Sequence, residues 1–270
     1  MSDSRVIWYA HRKLQNPIAV IGFPSVGLIS SITTSFIARE LKMDIAAALT
    51  TPDLPPYALI QSGVPYPPVR VYVPAAKAIR KTKPKTVVNE TADTTPAKNV
   101  KTAKPSRDLI IVTSEVAPKP EQTYDVTLAL FETLKELGAT EFVCLEGIPR
   151  FDGTASMLSV GSTPAMRKKA KALGLNPMDE GLVRGTTGVF LYEGAFEKTD
   201  VLGLLCPANA QVPDPRAAAA LLGKDGALSK LVPGLATIDA TPLVKEADEI
   251  ETRLKSQQEL ENTSNQQIYG

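Results

Sequence analysis

The chain has 270 residues, of which 43% are hydrophobic and 22% charged, so it is long enough and apolar enough to bury a large core. Its formal net charge of +1 does not indicate nucleic acid or an anionic membrane as a partner. No apolar run approaches the roughly 18 residues of a membrane span, and the N-terminus has no signal-peptide core. Cys144 and Cys206 each lie inside an apolar run, as expected for buried, reduced thiols. We therefore expect a cytoplasmic protein with no membrane partner.

Residues 17–42 predict a buried strand, a tight turn and a helix. Residues 17–23 form an apolar run of strand length, and apolar side chains recur at three- and four-residue spacing from Ile29 onward. Gly22 and Gly27 have the spacing of the glycines in a phosphate-binding loop. Leu28 and Ile29 stand where such a loop carries Lys and Ser or Thr, so the pattern favours a structural turn over nucleotide binding.

Further strands and helices alternate along the chain. The predicted strands are residues 6–9, 44–49, 69–73, 108–113, 140–147, 156–160 and 201–206, and the predicted helices are residues 120–137, 163–173, 213–222 and a last one that opens at Thr241. Thr163, Asp214 and Thr241 each precede a proline, so they are the expected N-caps of the last three helices. The proline-dense passage 52–68 predicts short strands and turns at a sheet edge. The glycine-rich passage 181–191 indicates close packing or a backbone turn. This rhythm predicts one α/β domain, residues 1–260, folded as a three-layer α/β/α sandwich with a mostly parallel central sheet.

Two segments interrupt the pattern. Residues 77–107 carry nine Lys/Arg against Glu90 and Asp93, a net +7, and have few large apolar side chains, so we expect a flexible basic insertion. A solvated loop is the ordinary interpretation of such a charge run, and docking on an acidic partner or nucleic acid is the alternative. After the last helix, whose apolar stripe fits its own domain or a neighbouring subunit, residues 261–270 predict a flexible polar tail.

Few residues indicate catalysis. His11 is the single histidine in the chain, so a multi-histidine metal site is excluded by count, and so is a triad that needs any other histidine. The residues around His11 indicate a surface turn. Glu146, Asp152 and Glu193 are placed near predicted strand ends, yet no nucleophile or metal ligand accompanies them in sequence. We therefore expect no catalytic residues, no metal and no cofactor.

Four motifs make the chain resemble the proteasome assembly chaperone family in its archaeal form. They are residues 18–29 (IAVIGFPSVGLI), 146–149 (EGIP), 180–188 (EGLVRGTTG) and 213–220 (PDPRAAAA). The resemblance implies a non-catalytic α/β/α protein that forms homo-oligomers and binds proteasome subunits. The basic insertion departs from the compact family pattern, which leaves open how the body would sit on a proteasome ring.

The resemblance implies a function for the last three residues. Ile268, Tyr269 and Gly270 place a bulky apolar side chain, an aromatic one and a free carboxylate at the end of a polar tail. Family members and proteasome activators can carry a terminal hydrophobic-tyrosine-any motif, so the resemblance implies docking between α-subunits of the core particle. Two alternatives stay open: a proteasome-independent oligomeric scaffold, and a nucleoside-phosphorylase-like enzyme with a ligand near Gly22 or Gly147.

Overall fold

The computed structural model describes residues 4–52, 54–75, 107–150 and 156–268, with backbone only beyond residue 256. Eleven strands are found in these residues: β1 (Arg5–Trp8), β2 (Ile18–Gly22), β3 (Asp44–Thr50), β4 (Leu59–Gln61), β5 (Val64–Tyr66), β6 (Val69–Val73), β7 (Leu109–Ser114), β8 (Glu141–Pro149), β9 (Leu158–Gly161), β10 (Asn176–Pro177) and β11 (Asp200–Ala208). The α-helices of the same residues are α1 (Ile29–Glu40), α2 (Thr123–Glu136), α3 (Pro164–Ala172), α4 (Gly185–Phe196), α5 (Pro215–Ala219), α6 (Ala227–Leu231) and α7 (Thr241–Ile268).

Nine strands form one mixed sheet in the order β1-β3-β6-β7-β2-β8-β11-β9-β10. The central strands β7, β2, β8 and β11 are parallel, with Val20 aligned on both Ile111 and Val143. Antiparallel pairs attach β1, β3 and β6 on one side and β9 on the other, and β10 joins β9 in parallel. The predicted α/β class with a parallel sheet centre is confirmed, and the antiparallel pairs are confined to the flanks.

Alternate residues of the central strands face two separate cores. Ile18 and Val20 of β2 pack with α1, α3, α5, α6 and α7, whereas Ala19 and Ile21 pack with α2 and α4. All five residues of β2 are buried, as the apolar run predicted, because helices cover both faces of a parallel sheet. The three layers of the predicted sandwich are therefore present.

Several boundaries agree with local sequence signals. The Thr163 hydroxyl accepts a hydrogen bond from the Met166 N–H, and Asp214 accepts one from the Ala217 N–H, so both predicted N-caps of α3 and α5 are confirmed. At α7 the prediction was wrong in detail: Thr241 is the first helical residue, and the Asp239 carboxylate accepts a hydrogen bond from its N–H.

Three segments differ from the sequence-based expectation. β4 and β5 pair only with each other, as a hairpin outside the main sheet, although the prolines around them predicted sheet-edge strands. Helix α4 arises from the glycine-rich passage, for which no helix was predicted. α7 continues through Ile268, so residues 261–268 are helical where the polar pattern predicted an irregular tail. No Gly or Pro lies between Pro242 and Gly270 to end the helix.

The basic insertion lies outside the described residues apart from its last residue, Arg107. That guanidinium donates to the Asn16 carbonyl at 3.0 Å and to Glu141 at 2.7 Å, at the start of β8. The segment connects β6 and β7, which are neighbours in the sheet. Its flexibility, like that of residues 261–270, stays a prediction. No helix in the described parts of the chain is long and apolar enough to cross a membrane.

Candidate functional site

The carboxyl ends of β2 and β8 meet at the turn that follows β2. There the Gly147 N–H donates a 2.9 Å hydrogen bond to the Ser25 hydroxyl, which also pairs with the Ser30 hydroxyl at 2.7 Å. A Cβ on Gly147 would overlap the Val26 carbonyl oxygen, and one on Gly22 would overlap the Ser30 carbonyl oxygen. The glycines therefore allow backbone to pack directly on backbone.

This packing bears on whether the turn between Gly22 and Gly27 is structural or binds a nucleotide. Gly27 has φ +64°, and a Cβ there would lie 2.8 Å from the Ala208 Cβ at the end of β11. The crevice outside the strand ends, where open α/β sheets usually bind ligands, is occupied by the chain's own turn. The structural interpretation of the turn is supported, and the position near Gly22 and Gly147 does not offer the ligand space that the enzyme alternative requires.

One acidic group is held at the same edge of the sheet. Glu146, the sixth of the nine residues of β8, accepts a 2.8 Å hydrogen bond from the Thr187 hydroxyl in the first turn of α4. Burial raises the pKa of Glu146 to about 7, although the Thr187 hydrogen bond and the positive charge of Arg184 both favour the carboxylate. Glu146 therefore changes protonation state near neutral pH.

The cavity above Glu146 is small. It measures about 110 Å³ and is lined by Pro24, Pro118, Arg184 and Thr186 among others. Ligand sites for drug-sized molecules usually measure about 300–1,000 Å³. The described residues also contain no group of three or more His, Cys, Asp or Glu that could hold a metal ion. The Glu146 site is thus a local link between β8 and α4.

The other residues considered for catalysis do not join Glu146. Glu193 lies in the interior of α4, where it accepts a 3.2 Å hydrogen bond from the Tyr124 hydroxyl, so its predicted position near a strand end was wrong. Asp152 lies outside the described residues. His11 is exposed and stacks on Trp8 with ring centroids 4.8 Å apart. Arg184 and Thr187 were missed as neighbours of Glu146 because α4 itself was not predicted.

Helix α7 is attached to the body along its first half. Leu243 is buried in the first core, and Ala247 is 4% exposed. Arg216 of α5 donates to Asp248 at 2.6 Å and to Glu251 at 3.0 Å. The predicted apolar stripe therefore packs on its own domain. Leu254 still lines a small groove with residues of the 209–216 segment, one turn beyond Ile250.

Beyond Leu254 the helix continues for fourteen residues to Ile268. At about 1.5 Å per residue this is a further helical length of about 21 Å. Of the three predicted docking residues, Ile268 ends the helix and is described by its backbone alone, and Tyr269 and Gly270 lie outside the described residues. The assignment of these three residues to partner binding stays a prediction.

The sequence of this fold matches a known protein family. The model of the PAC2 family matches residues 19–258, so the chain belongs to the PAC2 family. The described core of this chain, from Ala19 of β2 through the first half of α7, falls within that match. The resemblance to proteasome assembly chaperones that the four motifs indicated is confirmed at this level.

Individual relatives cover nearly the whole chain. An uncharacterized protein of Methanocaldococcus jannaschii is 25% identical over 256 residues, which cover 94% of this chain and 91% of the relative. The crystal structure of Pyrococcus furiosus PbaA, an archaeal homolog of proteasome-assembly chaperone, has a TM-score of 0.73 at 25% identity, covering 98% of this chain and 95% of PbaA. Pyrococcus furiosus PbaB, an archaeal proteasome activator, shares the fold with a TM-score of 0.74 at 21% identity, covering 96% and 100%.

Proposed function

We propose that this protein is a non-catalytic proteasome assembly chaperone or activator that docks on the α-ring of the core particle through Ile268, Tyr269 and Gly270. The observation that carries the proposal is the position of this tripeptide at the end of a helix that extends fourteen residues past Leu254. Membership of the PAC2 family supports it, as does the structural similarity to PbaA, a homolog of proteasome-assembly chaperone, and to PbaB, a proteasome activator.

The chemistry of the tripeptide suits a pocket between two protein subunits. An apolar side chain and an aromatic ring bury surface, and the terminal carboxylate pairs with a lysine or with backbone N–H groups. The long helix supplies reach without the conformational entropy of an irregular linker of the same length. Each tail thus delivers its three residues to a partner at a distance from the α/β body.

A homo-oligomer would strengthen this weak contact. Several tails on one assembly convert later binding steps into intramolecular ones, with a gain on the order of a hundredfold when tail reach matches pocket spacing. Tail insertion then favours whichever state of the α-ring binds it more tightly. If the tail binds more tightly to the assembled ring than to free subunits, the protein acts as an assembly chaperone. If the tail binds more tightly to the ring with its gate open, the protein acts as an activator.

The experiment compares the full chain with three variants of it on archaeal core particles, by co-sedimentation and by peptide hydrolysis. Tyr269→Ala removes the aromatic ring, and addition of one glycine after Gly270 moves the motif away from the chain end while keeping every side chain. Both are expected to lose binding at unchanged melting temperature. Gln267→Ala is the matched control and is expected to bind like the full chain.

The two roles give different readouts in the same assay. Faster peptide hydrolysis on binding indicates an activator, and faster assembly of free α-subunits without faster hydrolysis indicates an assembly chaperone. Binding that is unchanged by Tyr269→Ala and by the added glycine would contradict tail docking and would favour a scaffold whose tail is incidental.

A further inference from the structure

An exposed row of three aromatic side chains runs along α2 and α4. Tyr124 of α2 stacks on Tyr192 of α4 with ring centroids 6.3 Å apart, and the ring of Phe196 lies 5.9 Å from that of Tyr192. All three side chains are exposed, and Phe196, the last residue of α4, is 75% exposed. Clustered aromatic side chains on a surface are typical of protein–protein interfaces, whereas isolated ones are ordinary. We call these three residues the aromatic row.

The helices that carry the aromatic row are acidic. Their charged residues are four carboxylates and one cation, a net −3: Asp125, Glu132, Glu136, Glu193 and Lys135. Glu197 follows Phe196 directly and forms a 2.6 Å salt bridge with Lys135 at the surface. A protein partner that suits this face therefore combines an apolar recess for an aromatic ring with positive charge around it.

The opposite face of the same chain offers such a recess. Helix α3 has four cations and no acidic residue, a net +4: Arg167, Lys168, Lys169 and Lys171. Beside it, at the β9–β10 end of the sheet, lies a pocket of about 460 Å³. The apolar residues that line this pocket are Val160, Ala170, Leu175, Pro177 and Met178. Pockets of about 300–1,000 Å³ hold drug-sized molecules, so an aromatic side chain fits inside.

The rim of this pocket, which we call the basic pocket, is partly fixed by the sheet. Arg167 Nη1 donates to the Gly161 carbonyl at 2.9 Å and to the Ser162 carbonyl at 3.2 Å. The other charged side chains that the structure places in the lining are Lys168, Lys171 and Asp179. In this described lining, three cations stand against one carboxylate.

We propose that the aromatic row of one copy docks on the basic pocket of a second copy, with Phe196 as the side chain that enters the pocket. The acidic surface of α2 and α4 then faces the cations of α3, and such opposite charges steer and orient association. Burial of the exposed ring stabilises the contact, because aromatic anchors contribute much of the binding energy of protein interfaces.

The ring comes from another copy because one chain cannot join its own two surfaces. α4 packs in the second core and α3 in the first, on opposite faces of the sheet. Phe196 is exposed in its own chain and does not line its own basic pocket. Each copy therefore gives its aromatic row to one neighbour and its basic pocket to another. Heterologous contacts of this kind close into rings or extend as chains.

This inference rests on the proposed function in one respect, the homo-oligomer that multiplies the tails, and it names the two surfaces that hold that oligomer together. Both surfaces lie on the α/β body, away from Ile268, Tyr269 and Gly270. Self-association is measured without core particles. An oligomer that assembles yet does not bind core particles would overturn the proposed function alone.

The first experiment measures the mass of the full-length chain by sedimentation over a range of protein concentrations. We expect an assembly of several copies, and Phe196→Ala should weaken self-association about thirtyfold because it removes the aromatic anchor. Tyr57→Ala is the matched control, since it removes a similarly exposed ring outside both surfaces. The control should assemble like the full chain. Circular dichroism of each variant checks that it is folded.

Charge reversal tests whether the two surfaces face each other. Lys171→Glu and Glu197→Lys should each weaken assembly, because each brings like charges together across the contact. A chain that carries both substitutions should assemble better than either single variant, since opposite charges again face each other. Folding should be little affected, because Lys171 is exposed and the Lys135–Glu197 pair lies at the surface.

Three outcomes would overturn the proposal. One is a full-length chain that stays monomeric at every concentration, and another is an oligomer whose mass ignores Phe196→Ala. The third is a double charge variant that assembles less well than both single variants. A monomeric chain whose Lys171→Glu variant loses binding to an acidic peptide or to nucleic acid would assign the basic pocket to that partner instead.

Discussion

The Thr187 hydroxyl donates a 2.8 Å hydrogen bond to Glu146 and so connects the first turn of α4 to the second half of β8. The pKa of Glu146 is raised from 4.5 to about 7 by burial. Because the folded state holds the proton more tightly than the unfolded state, this group's contribution to stability is complete below pH 4.5 and is lost as the pH rises through 7.

Glu146→Gln should therefore be more stable than the parent protein at alkaline pH. Gln stays neutral and keeps an oxygen for Thr187, so the stability advantage of the variant should grow between pH 6 and pH 8.5 toward about 3 kcal/mol. Urea unfolding of both proteins at the two pH values measures it. An advantage that does not change with pH would show that Glu146 is already ionised throughout this range.

Gly147→Ala should be strongly destabilising because the new methyl would overlap the Val26 carbonyl oxygen, a backbone atom that cannot move aside like a side chain. Overpacking of this kind costs about 1–3 kcal/mol, and we expect the upper end. Gly234→Ala is the matched control, since a Cβ there has no atom within 4 Å. Equal melting temperatures for the two variants would refute the close approach of the turn to β8.

Glu115→Ala should destabilise the region where β6 pairs with the end of β7. Arg70, which is 1% exposed, donates to the two Glu115 oxygens at 2.8 and 2.5 Å, and removal of the carboxylate leaves a buried cation without its partner. We expect a loss of about 3 kcal/mol in urea unfolding. Glu121→Ala, on an exposed residue, should change stability by less than about 0.5 kcal/mol. Similar losses for both would mean that other groups stabilise Arg70.

Cys144 and Cys206 should not react with thiol reagents in the native protein. They are 1% and 2% exposed, and burial raises the pKa of the Cys206 thiol to about 12 and that of Cys144 well above its ordinary value. Because the thiolate is the reactive form, both thiols should react only after unfolding in guanidinium. Rapid reaction of either thiol with an aromatic disulfide reagent at pH 8 would contradict its burial.

Elements with a strong local signal were predicted well. The strand β2 and the helix α1 follow from an apolar run and from three- and four-residue spacing, and the caps at Thr163 and Asp214 follow from side chains that satisfy free N–H groups. α4 was missed because Gly188 and Gly194 weaken helix propensity. Its packing on α2 and β11 stabilises it, and a Cβ on Gly194 would collide with Val201.

The candidate sites also include some that the sequence predicted and one that it did not. The terminal tripeptide and the glycine turn were recognised as motifs, because they are contiguous in sequence. The Glu146–Thr187 pair joins residues 41 positions apart, so no local pattern indicated it.

By itself the sequence determined the α/β class, the buried parallel strands and the family, because periodicity and contiguous motifs are local properties of a chain. Only the tertiary structure decided that the glycine turn fills the crevice between β2 and β8 and that α7 packs its stripe on α5. The physical reason is that burial, which raises the pKa of Glu146 and closes the turn against β8, depends on which distant segments meet.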